Sequence, residues 1–257
     1  VQDIRKSNLV ARDHLANGAD GIFFDLCQVN VVDINTLLEN IDWPFCNVTF
    51  LTESSPKIFQ PIIAHIEKQK YDPALLTGTL FWQQQPRDAI GALRAFTDTI
   101  QFRSLGIFIS PSSPAKEISD ALTKGVKLMD VLTDQGADRG LVWRNLSLSL
   151  PAGPDFILEI AKLKALRVLW YQVAQAFEII DFKPKEINIH VRSVPWISER
   201  FQPHSNVLKS TVSALSAVVG GCDSLTIEPE DELNATMNRV ARNVSSIIRE
   251  EAHLNMV

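Results

Sequence analysis

The chain has 257 residues, 46% of them hydrophobic and 21% charged, with a formal net charge of -5. That is ordinary composition for a globular protein with one large domain or two small ones, and the negative balance argues against nucleic acid as a main partner. Apolar runs of about 5 to 8 residues fall far short of the roughly 20 a membrane helix needs, so neither a membrane span nor a membrane partner is expected.

A first helix is predicted from about Ile4 to Asn17. Seven short apolar strands follow, near Gly21 to Leu26, Phe45 to Thr52, Leu76 to Trp82, Ser104 to Ser110, Asn145 to Leu150, Glu186 to Ser193 and Asp223 to Glu228. Each is followed by a helical pattern. Ser55-Pro56, Gln85-Pro86 and Ser113-Pro114 read as helix starts, because proline is pre-set for the first helical position. The clearest apolar stripe is Phe156, Ile160, Leu163, Leu166, Leu169, Val173 and Phe177, spaced by three and four. In the last helix, from about Glu232 to Leu254, Met237, Val240, Val244, Ile247 and Ile248 repeat likewise. No linker or repeat interrupts the series, so residues 1–257 are expected to form a single domain.

Strands alternating with helices imply a parallel sheet, doubly wound or closed as a barrel. The strand faces decide between them. Asn188, His190 and Arg192 alternate with Ile187, Ile189 and Val191; Asn145, Ser147 and Ser149 with Leu146, Leu148 and Leu150; Ser224, Thr226 and Glu228 with Leu225 and Ile227. Ser104, Gly106 and Ser110 likewise oppose Leu105, Ile107 and Ile109. A doubly wound sheet has helices on both faces, whereas a barrel covers only its outer face. The expected fold is therefore α/β, a (β/α)8 TIM barrel with seven βα units present and the eighth strand missing. Polar inward rows suggest an axis that is partly hollow, fit for an extended ligand or water.

Several runs resemble the methylmalonyl-CoA mutase family. They are Gly18-Ala19-Asp20-Gly21, the helix from Asp155-Phe156 through Glu159, Lys162 and Arg167 to Leu169-Trp170, Val219-Gly220-Gly221-Cys222-Asp223-Ser224-Leu225-Thr226, Arg239-Val240-Ala241-Arg242-Asn243, and Arg249-Glu250-Glu251-Ala252-His253-Leu254. They occur in family order over nearly the whole chain. The resemblance implies an acyl-CoA-binding barrel whose CoA arm threads an axis lined by small polar residues. It also implies adenosylcobalamin, bound mainly by regions or a partner outside this chain. The family's eighth strand, its tyrosine over the cobalamin and its Asp-x-His-x-x-Gly motif, which supplies the lower cobalt ligand, do not occur in this sequence, so a fragment of a longer protein is expected.

The family includes heterodimers of a catalytic chain and a smaller silent one. Val219 to Thr226 resembles the small-subunit version, and Ser110-Pro111-Ser112-Ser113-Pro114 stands where catalytic chains carry a Tyr-His-Met-Gln run. The resemblance thus implies a small-subunit-like chain partnered with a catalytic large subunit that interconverts methylmalonyl-CoA and succinyl-CoA by radical rearrangement. The alternative is a competent acyl-CoA mutase barrel using His190, which occupies the position of the family histidine that hydrogen-bonds the thioester carbonyl, with Trp196 six residues on. Either Phe81 or Trp82 is expected to plug the axis.

His190 is the candidate catalytic residue, weighed against a satisfied barrel histidine; Asn188, Arg192, Ser147, Ser149 and Thr226 are the candidate substrate-binding residues. Glu228, Glu230, Asp231 and Glu232 read as a solvated loop at a helix start rather than an acid/base or metal site. His14, His65, His204 and His253 lack ligand spacing, so no metal site is expected. Trp43, Trp82, Trp143, Trp170 and Trp196 read as packing residues. Cys27, Cys46 and Cys222 are scattered and odd in number, which excludes a disulfide framework and makes a reducing, cytoplasmic location the default.

Overall fold

The structure, a computed structural model, describes residues 1, 3–29, 32–180, 182–194, 205–229 and 234–253. The elements run α1 (Ile4–Ala16), β1 (Gly21–Asp25), α2 (Ile34–Leu37), β2 (Asn47–Thr52), α3 (Phe59–Gln69), β3 (Gly78–Trp82), α4 (Ala89–Ala95) and β4 (Phe102–Phe108). They continue with α5 (Pro114–Asp134), α6 (Arg139–Asn145), β5 (Leu146–Ala152), α7 (Phe156–Ala176), β6 (Asn188–Ser193), α8 (Ser205–Gly220), β7 (Ser224–Thr226) and α9 (Ala235–Ser246). A π-helical turn, Ile247–Glu251, extends α9.

One capping device recurs. Asp3, Asp33, Asp88, Asp138 and Asp155 each accept a hydrogen bond from the backbone N–H three residues on, and Asn234 accepts from Thr236 and Met237. Each such cap satisfies otherwise orphaned helical donors and stabilises by about 1 kcal/mol.

The strands form one sheet in the order β1-β2-β3-β4-β5-β6-β7, with β1 parallel to β2, β2 to β3, β3 to β4 and β6 to β7. Sequential parallel order with helical crossovers is the topology of a (β/α)8 barrel, here with seven βα units. The chain divides into two compact units, Val1–Phe108 with Lys124–Ser147, and Ile109–Thr123 with Leu148–Val257.

In the first unit, aromatic rings build the layer between strands and helices. Trp43 meets Phe50 and Phe102 edge-on at 5.8 and 5.5 Å, and Phe59 of α3 meets Trp82 at 5.7 Å. Trp82 therefore faces the helices. Phe81 takes the other face, pairing with Gly106 and stacking on Phe23 at 6.3 Å. A Cβ on Gly106 would lie 2.5 Å from the Phe81 ring, so only glycine admits the ring there.

In the second unit, Leu225 and Ile227 pack with Ala214, Leu215 and Val218 of α8 and with Val244 and Ile248. Helix α7 lies against α8 at Gly220, where a Cβ would fall 2.7 Å from Leu163. Arg167 of α7 donates to the carbonyls of Pro184 and Ile187 at 3.1 Å, to Gly221 O, and to Asp223 at 3.0 Å. Asp223 in turn accepts from Ile189 N at 2.8 Å. Two runs of the sequence signature, the α7 run and the Gly220-Gly221-Cys222-Asp223 run, thus meet as a pin beneath β6 and β7.

Several expectations are corrected. Strand β4 ends at Phe108, so Ser110 lies in a loop, and β7 is only three residues long. Asn145 ends α6 rather than opening β5, and its amide donates to Leu141 O at 3.0 Å. Gln85-Pro86 does not start a helix: α4 begins at Ala89 because Asp88 supplies the cap. The α7 stripe is rotated as well. Phe156 is exposed, while the buried line runs Glu159, Lys162, Leu163, Leu166, Trp170 and Ala174. The final helix buries Val244 and Ile248 but leaves Ile247 exposed. Trp43, Trp82, Trp143 and Trp170 are buried as packing residues; Trp196, His204, Glu230, Asp231, Glu232 and Leu254 lie outside the described residues.

Candidate functional site

The pleat of β6 sends Asn188, His190 and Arg192 to one face, opposite Ile189 and Val191. In the β6–β7 register His190 pairs with Ser224 and Arg192 with Thr226, while Val191 pairs with Leu225, which packs on the helices. The face carrying His190 is thus the one turned away from the helices. Ser149 of β5 reaches the same face.

These side chains form a continuous ladder. The Arg192 guanidinium donates to Ser149 Oγ at 3.1 Å and to Ile109 O at 2.5 Å. Ser149 Oγ lies 2.9 Å from His190 Nδ1, and Thr226 Oγ1 lies 2.9 Å from His190 Nε2. A neutral imidazole has one donor and one acceptor nitrogen, so one hydroxyl donates to the ring and the other accepts from it. Both ring nitrogens are therefore used. Next to the ladder, Ser193 Oγ accepts from Glu228 N at 2.9 Å.

The ladder is buried except at Thr226, which is half-buried. His190 is 5% exposed, Arg192 4% and Ser149 0%. Burial, followed by the positive charge of Arg192, pushes the His190 pKa down to about 3, so the imidazole is neutral at physiological pH. The polar face, expected to be partly hollow, is closed and satisfied internally at Ser149, His190 and Arg192, while Asn188 and Thr226 are half-buried. Of the sequence-derived candidates, the structure brings His190, Arg192, Ser149 and Thr226 into contact. Ser147, also 0% exposed, and half-buried Asn188 lie two residues before Ser149 and His190 along the same strand faces. His190 is the third of six residues in β6.

A second buried polar group was missed in the sequence. Lys162 Nζ donates to Glu117 Oε2 and Pro151 O, both at 2.7 Å, and lies 2.5 Å from Glu159 Oε2. All three side chains are at most 5% exposed. The clue was a lysine and a glutamate three apart on the otherwise apolar stripe of α7, together with an acid in the first turn of α5.

Fold and site together define a (β/α)8-barrel chain with a histidine-centred polar ladder on its last strands. The methylmalonyl-CoA mutase family model matches residues 97–257, and this chain belongs to that family. It is 26% identical to a methylmalonyl-CoA mutase small subunit of Porphyromonas gingivalis over 99% of this chain and 46% of that protein. With a small subunit of Streptomyces virginiae it shares 35% identity over 64% of this chain and 26% of that protein. A Porphyromonas gingivalis large subunit is 28% identical over 52% of this chain and 19% of that protein. The chain thus spans less than half the length of these curated relatives.

His190 does not fit as a ligand for the cobalt of a cobalamin. His190 has both nitrogens engaged, whereas His65, 0% exposed, holds Asn35 Oδ1 at 3.1 Å through Nδ1 and keeps Nε2 buried without a hydrogen-bond partner among the described residues. Among the described residues there is no group of three or more His, Cys, Asp or Glu suited to a metal ion, and no helix is long and apolar enough to cross a membrane.

Proposed function

We propose that this chain is a catalytically silent barrel of the small-subunit kind, which stabilises the catalytic large subunit of an adenosylcobalamin-dependent methylmalonyl-CoA mutase, a cytoplasmic isomerase. The cofactor and the reacting acyl-CoA are held by the partner or by regions outside this chain. One observation carries the reading: the histidine that would contact a thioester carbonyl has both nitrogens bonded to internal hydroxyls and is closed off from solvent. The likeness to a Porphyromonas small subunit over 99% of the chain, against 52% for the large subunit of the same organism, supports it.

The second reading is a catalytic acyl-CoA mutase barrel. One feature favours it: Thr226, which holds His190 Nε2, is itself only half-buried, so an incoming carbonyl oxygen could displace its hydroxyl and accept from the ring. Ser147, Ser149, Asn188 and Arg192 would then line the acyl-CoA path.

Native mass spectrometry of the full-length protein from its own cells separates the two. A one-to-one complex with a larger cobalamin-carrying chain, with acyl-CoA on that chain alone, is the expected result. A homodimer holding its own cobalamin and acyl-CoA overturns the silent reading.

A further inference from the structure

Two buried charged side chains, Arg192 and Glu117, grip the same short segment from opposite ends. At one end Arg192 donates to Ile109 O at 2.5 Å, and Ile109 N donates to Ser149 O at 2.9 Å. At the other, Ser112 N donates to Glu117 Oε1 at 2.8 Å, and Glu117 Oε2 accepts from Lys162 Nζ at 2.7 Å. Lys162 also donates to Pro151 O at the end of β5 and lies against Glu159. Between the grips, Ser110, Pro111, Ser112 and Ser113 are exposed. An exposed Ser/Pro loop ordinarily opens readily. This one is held by side chains that are almost wholly buried, and opening it would cost a buried charge one hydrogen-bond partner at each end.

Lys162 stands between two carboxylates, leaving that cluster one negative charge in excess, while Arg192 supplies one positive charge. Within this unit the four buried charges sum to zero, and the peptide groups of Ile109 and Ser112 are the parts of the segment that each cluster holds.

We infer that the Ile109–Ser113 segment is a locked strap, and that Glu117 and Lys162 are the positioning residues that keep it closed over the Arg192 end of the polar ladder. The consequence is that the Arg192 end of the ladder stays closed. With the strap down, Arg192 is spent on Ile109 O and Ser149, and the Ser149–His190 pair stays sealed. With the strap released, the guanidinium loses its carbonyl partner and the imidazole becomes reachable from the strand ends. The lock rests on hydrogen bonds within one unit, so it stands or falls separately from the choice between a silent and a catalytic chain.

The test is amide hydrogen exchange resolved at single residues on the full-length protein, comparing wild type with Glu117→Ala, and with Glu117→Gln should the alanine variant fail to fold. Arg167→Met, which loosens the distant pin under β6 and β7, controls for general destabilisation. Exchange at Ser112 and Ile109 is expected to rise at least about 100-fold in the Glu117 variant and to stay near wild type in Arg167→Met. Labelling with diethyl pyrocarbonate, mapped by mass spectrometry, is expected to leave His190 unmodified in wild type and to modify it when Glu117 is replaced. A Ser112 amide that exchanges freely in wild type, or equal rises in both variants, overturns the lock. Released strap amides with His190 still unlabelled overturn the claim that the strap seals the ladder.

Discussion

The strand face turned away from the helices is filled in two different ways. On β1 to β4 it carries Phe23, Leu51 and Phe81, with Gly106 making room for a ring; on β5 to β7 it carries Ser149, His190, Arg192 and Thr226. Both fillings exclude water at their centres: Leu51 and Phe81 are 3% and 1% exposed, Ser149 and His190 0% and 5%, while Phe23 and Thr226 at the margins are half-buried. Apolar packing is additive and non-directional, so each side chain contributes by the area it hides. A buried polar ladder is all-or-none, because removing one member leaves its neighbours desolvated without partners. The same pleat therefore supports a tolerant half and an intolerant half.

The largest effect is expected at the intolerant end. Lys162→Met leaves Glu117 and Glu159 buried without their cation, and removing one partner from such a cluster costs about 3 to 5 kcal/mol. Urea unfolding monitored by circular dichroism reads this directly. Phe81→Ala, in the apolar half, should cost roughly 3 to 4 kcal/mol through lost burial and a cavity. The contrast sharpens with volume-conserving changes: Phe81→Leu should recover most of that loss, whereas no apolar residue at Lys162 should.

The ladder itself predicts a pH dependence. His190 is depressed from 6.5 to about 3 by burial, then by Arg192. A depressed histidine is protonated in the unfolded chain before the folded one, so its stability contribution is complete above pH 6.5 and is lost as pH falls toward about 3. Between pH 6.5 and 5 the loss from this residue is about 2 kcal/mol. His65, also lowered by burial, adds in the same direction. Unfolding curves at the two pH values should converge in His190→Asn, keeping only the His65 part. Smallest is the effect of Thr226→Val, at the half-buried end of the ladder, where water can replace the lost partner of His190. The all-or-none rule relaxes there, so the change should cost about 1 kcal/mol in the same unfolding assay.

The barrel topology was legible because Ile189, Val191, Leu225 and Ile227 alternate with polar residues, and the period-two pattern reports the faces. Faces are not distances. That His190, Arg192, Ser149 and Thr226 share a face followed from the spacing; that the ring nitrogens would be spent on two hydroxyls did not, since this depends on the register between strands. Glu117 and Lys162 lie 45 residues apart, and local patterning says nothing about such a pair. Read as part of a family signature, Glu159, Lys162, Arg167 and Asp223 carried no role. In the structure they are the charged anchors that hold α7 to the strap and to the base of β6 and β7. In sequence, Ser110-Pro111-Ser112-Ser113-Pro114 is only a departure from the Tyr-His-Met-Gln run of catalytic chains, and the hydrogen bonds of Ile109 and Ser112 are what mark it as a strap.

The silent reading is tested most directly by placing His190→Ala in this chain alone, reassembling the full-length complex with its catalytic chain, and measuring turnover of methylmalonyl-CoA. Turnover within about twofold of wild type, alongside a lowered unfolding midpoint, is the predicted result, because an internally satisfied histidine supports packing and not chemistry. A positioned acid or base typically contributes 10²- to 10⁴-fold, so a fall of about 100-fold or more with the complex intact would contradict the account and make His190 a working residue.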